Sequence, residues 1–337
     1  MEFLKYEEKY NKGIYKLYAD FQKEEDFFKE MEEEEFNRFL FGNGRFKAEG
    51  TFVALDGDKV IGVVSANVDD PNVGNVKASG YVHTIIVKKE YRRQGIGTKL
   101  LDLAEEYIAS KGCGSSRVVF LGAVNYPWYI PHTDHHMHPG IPAVRINSEH
   151  YIFLYHRGYY VNSIHEGFHV NLKNYEYNQK IKDILAKNEA EGITVELYDP
   201  KKHYGVDEFC DLITEQGNGG FAHSIRYNLY KREKPYPFVV AAVNGRVVGW
   251  TGSIYREPTG RGHLDGICVS PEVRGKGLGT AVFAKLCYEL KKLDSDYMTL
   301  FTGLDNNARY IYLGAGFNVA CSFADMKKNF NHEHKRF

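Results

Sequence analysis

The stretch Val269-Ser270-Pro271-Glu272-Val273-Arg274-Gly275-Lys276-Gly277-Leu278-Gly279-Thr280 decides how the rest of this chain is read. His263-Leu264-Asp265-Gly266-Ile267-Cys268-Val269 leads into it as a strand, and Val282, Phe283, Leu286, Cys287 and Leu290 follow at helical spacing. A second copy lies 182 residues upstream. There Tyr81-Val82-His83-Thr84-Ile85-Ile86-Val87 runs through Lys88–Tyr91 to Arg92-Arg93-Gln94-Gly95-Ile96-Gly97-Thr98, and Leu100, Leu101, Ala104 and Ile108 carry the helical pattern. Before each copy comes a strand, a tight turn at Asp56-Gly57 or Asn244-Gly245, and a second strand. After each comes a helical stretch closed by Gly158-Tyr159 or Gly316-Phe317. A shared order of so many elements predicts a tandem of two α+β domains. The predicted boundaries are 1–175 and 193–337, with a charged linker helix in 176–192. In the second domain the spacing predicts a strand at 193–197, helices across 205–233, a hairpin over 238–255 and a strand over 261–269. A helix at 278–293, a strand at 297–302, a helix at 306–313 and a last strand from Phe317 follow. The charged tail from Lys327 is expected to fray.

Composition narrows the function classes. Lys and Arg number 43 against 44 Asp and Glu, a formal net charge of −1, which argues against a broad basic surface for nucleic acid or an anionic membrane. The 25 Tyr and 21 Phe can furnish a packed core. No apolar run is long enough to cross a membrane, and Met1–Glu8 is too acidic and polar for a signal peptide. The five cysteines form no CxxC pair, which fits reduced thiols and a cytoplasmic protein.

A glycine run between a strand and a helix N-terminus is an anion site, because first-turn N–H groups are unpaired and the helix dipole favours negative charge. Glycines there let phosphates approach the backbone closely. A P-loop requires Gly-Lys-Ser/Thr, but Gly277 follows Lys276. A dinucleotide fingerprint requires a third glycine where Thr280 stands. Arg-x-x-Gly-x-Gly after a strand end remains, a form suited to gripping the pyrophosphate of coenzyme A.

With Leu304-Asp305-Asn306-Asn307-Ala308 through Tyr312 to Gly316-Phe317, this motif resembles the acyl-CoA-binding motifs of the GNAT superfamily of N-acyltransferases. The resemblance covers both halves, in a mycothiol-synthase-like two-domain architecture. It implies two GNAT-like domains, each a mixed, mostly antiparallel twisted sheet flanked by helices and splayed between its fourth and fifth strands at the acyl-CoA cleft. It also implies an N-acetyltransferase moving acetyl from acetyl-CoA directly to a primary amine of a small molecule, with no metal. The cofactor-binding positions it implies are Ile267, Cys268, Val269, Arg274, Gly275, Lys276, Gly277, Leu278, Gly279, Thr280, Asn306 and Asn307 in the second half. In the first half they are Ile85, Val87, Arg92, Arg93, Gln94, Gly95, Ile96, Gly97 and Thr98. A non-catalytic acyl-CoA-binding or sensing protein is the alternative from another class.

The resemblance puts the general acid at Tyr312, four residues before Gly316. On the preceding strand, alternation sets His263 and Asp265 on one face with Val269, where either reads as a general base or as ordinary edge polarity. Packing of Tyr312 in the helix face is the plain alternative. In the first half Leu154 stands where that tyrosine belongs, Tyr155 is rotated about 100° around the helix, and His83 is the counterpart of Asp265. Turnover is therefore expected mainly in the second domain, with catalysis in the first as the alternative. The first half has 24 extra residues before Gly158, including a Pro-aromatic-His stretch from Tyr126 to Pro142 that reads as a lid or pocket wall. His132, Asp134, His136 and His138 within it match no standard zinc spacing.

Overall fold

The computed structural model describes residues 1–68, 79–118, 126–131, 138 and 143–330. They form two compact units, Met1–Glu166 with Cys321–Phe337, and Gly167–Ala320.

The first unit contains β1 (Glu2–Lys5), α1 (Asn11–Phe21), α2 (Glu33–Phe39), β2 (Thr51–Asp56), β3 (Lys59–Asn67), β4 (Ser79–Val87), α3 (Ile96–Ser110), β5 (Ser115–Val118), β6 (Val144–Arg145), α4 (Glu149–His156) and the start of β7 (Tyr160–Asn171). Strands β1 to β4 pair antiparallel in sequence order. The Gly57-Asp58 loop closes the β2–β3 hairpin, with Gly57 at φ +58°. Among the described residues β4 then pairs parallel with β5, from Ser79–Tyr81 to Ser115–Arg117. Helix α3 buries Ile96, Leu100, Leu101, Ala104 and Ile108 in one core with Val64, Ala66 and Val82. On the opposite side Ile14, Leu17, Tyr18 and Phe36 of α1 and α2 pack with Val53, Val63 and Ile86. Strand alternation sends neighbours such as Val63 and Val64 to these two cores.

The second unit contains the end of β7, then α5 (Gln179–Ala190), β8 (Ile193–Leu197), α6 (Val206–Glu215), α7 (Gly219–Tyr230), β9 (Val239–Val243), β10 (Arg246–Gly252), β11 (Gly266–Val269), α8 (Leu278–Lys292), β12 (Tyr297–Gly303), α9 (Ala308–Gly314) and the start of β13 (Asn318–Asn329). β8 to β11 form an antiparallel sheet in sequence order. Asn244 and Gly245, both at positive φ, make the two-residue turn of its central hairpin. Helix α8 and the end of β7 share one core, where Phe168, Val170 and Leu172 meet Phe283, Leu286 and Leu290.

Two readings of the sequence are corrected. Regular strand begins at Gly266 rather than at 261. Residues 261–265 follow the 252–257 segment irregularly, held by Asp265 N–H to Gly252 O at 2.7 Å and His263 N–H to Tyr255 O at 3.0 Å. The segment from Cys321 also does not stay with the second half. Met326–Asn329 pair antiparallel with Ser115–Val118, and Ala324 and Met326 lie in the first unit's core. Lys327 and Lys328 are therefore strand residues, because Lys327 pairs with Arg117 and Lys328 with Ser116.

Candidate active site

Beyond the Ser79–Tyr81 pairing with β5, the following residues of β4 line a cavity of about 80 Å³. Residues Val82–Ile86 of β4 form one wall; Phe21, Phe27, Phe28 and Tyr126 supply aromatic surface; Glu25, Arg145 and His150 supply the charged and imidazole groups. In the register with β3, Ser65 faces Thr84 and Ala66 faces Val82, so His83 is the extra residue of a β-bulge. A bulge interrupts the ladder and re-aims side chains. Here His83 and the adjacent Thr84 meet, Nδ1 to Oγ1, at 3.1 Å. Thr84 Oγ1 is 2.8 Å from Tyr126 Oη, and His83 Nε2 is 3.2 Å from Ser65 Oγ. Burial pulls the His83 imidazole down to about 3, which leaves it neutral at physiological pH. Burial pushes the Glu25 carboxyl up, and Arg145, 3.9 Å away, opposes that shift. His150 Nε2 donates to the Ile85 carbonyl at 2.9 Å.

The two glycine loops begin their helices alike and differ in what lies against them. Gly95 (φ +83°) and Gly277 (φ +74°) are the residues immediately before α3 and α8. A Cβ at Gly95 would meet nothing within 4 Å. A Cβ at Gly277 would stand 2.9 Å from Ile184 Cδ1 of α5. The same helix gives Asn188 Nδ2 to the Lys276 carbonyl at 3.0 Å, and just beyond it Glu191 pairs with Lys276 at 2.6 Å. At the next glycine, a Cβ on Gly279 would lie 2.8 Å from Ile311 Cδ1, whereas one on Gly97 would have Phe153 at an ordinary 3.5 Å. The Cβ position is thus open at Gly95 and occupied by Ile184 at Gly277, although Gly275–Gly277 also line, with Gln179, Asp183 and Lys187 of α5, a shallow cavity of about 500 Å³. Arg92 is not a free cation: it donates to Val87 O at 3.0 Å, binds both oxygens of Glu24 at 2.7 and 2.8 Å, and reaches Glu149 at 3.2 Å. It ties the loop to the end of β4, and the anion-binding capacity of the loop rests on its backbone.

The sequence matches the model of the acetyltransferase (GNAT) family twice, over residues 12–126 and 206–317. The chain belongs to this family. It is 38% identical over 64 residues to N-alpha-acetyltransferase 30 of Schizosaccharomyces pombe, a match over 19% of this chain and 41% of that protein. The chain thus spans less than half the length of this curated relative. Among solved structures it resembles a glucosamine N-acetyltransferase region of a fungal multi-domain β-N-acetylglucosaminidase, at TM-score 0.56 and 17% identity over 97% of this chain and 38% of that one. It also resembles a tandem GNAT protein from the clavulanic acid biosynthesis pathway, at TM-score 0.51 and 14% identity over 99% of both chains. At these identities the two structures speak to the fold alone.

In this member of the GNAT family the expected catalytic groups of the second half are held as follows. His263 Nδ1 is 2.7 Å from Glu257 and Nε2 is 3.0 Å from Asp265 Oδ1, and the ring stacks on Tyr255 at 4.1 Å. Burial lowers its pKa, but the hydrogen bonds and charges of the two carboxylates outweigh burial and raise it overall. Asp265 Oδ2 accepts the Ser253 N–H at 2.8 Å; burial raises its pKa, but these hydrogen bonds hold it below the usual range, which makes it a weak base. Tyr312 is buried among Phe168, Phe283 and Phe317, and burial pushes its phenol up to about 12. Ile267 and Val269 pack on that core while Cys268 faces the other, as alternation requires. Asn306 Oδ1 accepts the Ala308 N–H at 2.9 Å and caps α9; Asn307 makes no side-chain cap. Arg274 is exposed. In the first half Leu154 lines the cavity and Tyr155 is 63% exposed, outside it. Tyr312→Phe is therefore expected to keep turnover within about twofold and stability within about 1 kcal/mol, the size of a lost ordinary hydrogen bond. Steady-state rates and a thermal melt check this, and a tenfold fall in kcat with the fold intact would restore Tyr312 as acid.

Sequence reasoning missed Glu25, Thr84, Tyr126 and His150 as groups of one site. Tyr126 opens the stretch read as a pocket wall, so that reading came nearest. Among the described residues no His, Cys, Asp or Glu cluster could hold a metal; His132, Asp134 and His136 lie outside the described residues. Among the described residues, too, no helix is long and apolar enough to cross a membrane.

Proposed function

We propose that this protein moves an acetyl group from acetyl-CoA to a primary amine of a small-molecule acceptor, by direct transfer, and that its first unit does so. The observation that carries this reading is a glycine loop with open space beside Gly95, in the same unit as a cavity walled by Val82–Ile86 of β4. In the second unit Ile184 takes the corresponding space. Acetyl-CoA supplies an activated acyl group as its thioester. Residues Arg92–Thr98 receive the pyrophosphate on backbone N–H groups, and the edge of β4 at Ile85 and Val87 takes the extended arm of the coenzyme. The bulge at His83 frees backbone from the ladder to polarise the thioester carbonyl. Glu25, its pKa raised by burial, is the carboxylate suited to take the proton of the amine. Leu154 has no proton to give, but a thiol with a pKa of about 8.5 leaves without strong help from an acid.

The test is to incubate the protein with acetyl-CoA and a panel of primary amines, and to measure free thiol. Amine-dependent thiol release is expected. Binding of acetyl-CoA without release by any amine would overturn the reading in favour of an acyl-CoA sensor.

A further inference from the structure

The polar groups around His83 form one continuous chain through the first unit. Thr51 Oγ1 donates to the Lys47 carbonyl at 2.9 Å and lies 2.7 Å from Ser65 Oγ. Ser65 Oγ is 3.2 Å from His83 Nε2, His83 Nδ1 is 3.1 Å from Thr84 Oγ1, and Thr84 Oγ1 is 2.8 Å from Tyr126 Oη. All five side chains are buried. Each hydroxyl has one hydrogen, and a neutral imidazole has one.

These counts fix the direction of every bond. A carbonyl only accepts, so the hydrogen of Thr51 goes to Lys47 O. Ser65 must then donate to Thr51, and having spent its hydrogen it must accept from His83 Nε2–H. Nδ1 of the neutral ring is left as an acceptor, so Thr84 donates to it. The remaining bond requires Tyr126 to donate to Thr84. The reverse direction would put the lone pairs of Thr51 and Ser65 against each other at 2.7 Å, or abandon the bond to Lys47. Because Tyr126 gives its only hydrogen to Thr84, the lone pairs of Oη remain for other donors, and Tyr126 and Thr84 both line the cavity.

We infer that Tyr126 is a positioning residue that receives an N–H of the acceptor amine, its polarity set from the Lys47 carbonyl through Thr51, Ser65, His83 and Thr84. The inference rests on the first unit being the acting one. Tyr126 then acts on the amine and not as the acid for the leaving thiolate. An N–H held by Oη turns the nitrogen lone pair away from the tyrosine, and substrates without an N–H lose this contact. Such a contact is made to the bound amine before and during transfer, so its loss raises KM more than it lowers kcat.

The test has a spectroscopic and a kinetic arm. In the full-length protein, nitrogen-15 NMR of the imidazoles at pH 7 is expected to show His83 protonated on Nε2 and bare on Nδ1. A ring protonated on Nδ1 would overturn the direction of the chain. Tyr126→Phe is expected to raise KM for the amine about tenfold or more, with KM for acetyl-CoA unchanged. Thr51→Val removes the anchor at a distance from the cavity. It is expected to mix the His83 tautomers and raise the amine KM severalfold, and Ser65→Ala serves in its place if the valine variant does not fold. An unchanged amine KM in a Tyr126→Phe protein that binds acetyl-CoA would overturn the positioning role. Turnover that survives loss of acetyl-CoA binding at the Gly95 loop would instead overturn the assignment to the first unit, whatever the tautomer.

Discussion

Gly95→Val is expected to abolish measurable acetyl-CoA binding and turnover, and Gly277→Val to leave both in place while weakening the fold. Two effects combine at Gly95. Its φ of +83° lies in the left-handed region, where a β-branched residue costs roughly 1–3 kcal/mol. The space beside it is also open for phosphates to approach the loop backbone, and a valine would stand there. Hydrogen bonds to a charged group contribute roughly 1.5–3 kcal/mol each, so displacement from two amides lowers affinity by at least about a hundredfold. At Gly277 the same substitution drives a side chain into Ile184, with its first carbon already 2.9 Å away. Overpacking and left-handed strain together cost about 2–6 kcal/mol there, without touching the proposed coenzyme site. Calorimetry of the wild-type protein is expected to find one acetyl-CoA per chain. Two per chain, with one lost in Gly277→Val, would show that the linker helix moves aside and that both loops bind.

The repeat and its turns were legible because local rules write them. Asn244-Gly245 can take two positive φ values in succession, and the apolar spacing of Leu100, Leu101, Ala104 and Ile108 has only one helical face to serve. The cleft was half legible: the glycine loop marks where a phosphate can go, whereas the cover over it comes from residues about ninety positions away. Ile184 lies in a stretch read only as a charged linker helix, and nothing in its spacing says that its side chain will rest on Gly277. Tyr312 illustrates the opposite failure. Its distance from Gly316 is right for the family's acid, but a tyrosine at that position of a helix can equally complete an aromatic core, and here Phe168, Phe283 and Phe317 surround it. The bulge at His83 was invisible for a related reason. A strand with one extra residue reads as an ordinary strand until its partner supplies the register.

Ending the chain after Ala320 is expected to destroy the first unit, although every residue removed belongs in sequence to the second repeat. The lost segment carries Phe323, Ala324 and Met326, each almost wholly buried, and Phe323 packs edge-on against Phe27 and Trp128. Burying a Phe or Met side chain contributes roughly 1.5–3 kcal/mol. Arg117, Asn162 and Ser163 would lose their common acceptor, the buried Asp325 carboxylate, and Glu105 would lose Lys328. The edge of β5 from Ser115 to Val118 would be stripped of its antiparallel partner. Against a typical domain stability of about 5–15 kcal/mol these losses are comparable with the whole. A chain of residues 1–320 should therefore show loss of the first unit's cooperative melt and no amine-dependent thiol release, and so should residues 1–175 expressed alone. Phe323→Ala in the full-length chain gives the graded version: about 3–5 kcal/mol of stability lost, as for other buried Phe truncations. Residues 1–320 that fold and turn over normally would mean that β13 merely decorates the first unit. The opposite result would make β13 an integral strand of the first unit, so that the first repeat cannot fold until the chain beyond the second repeat has been made.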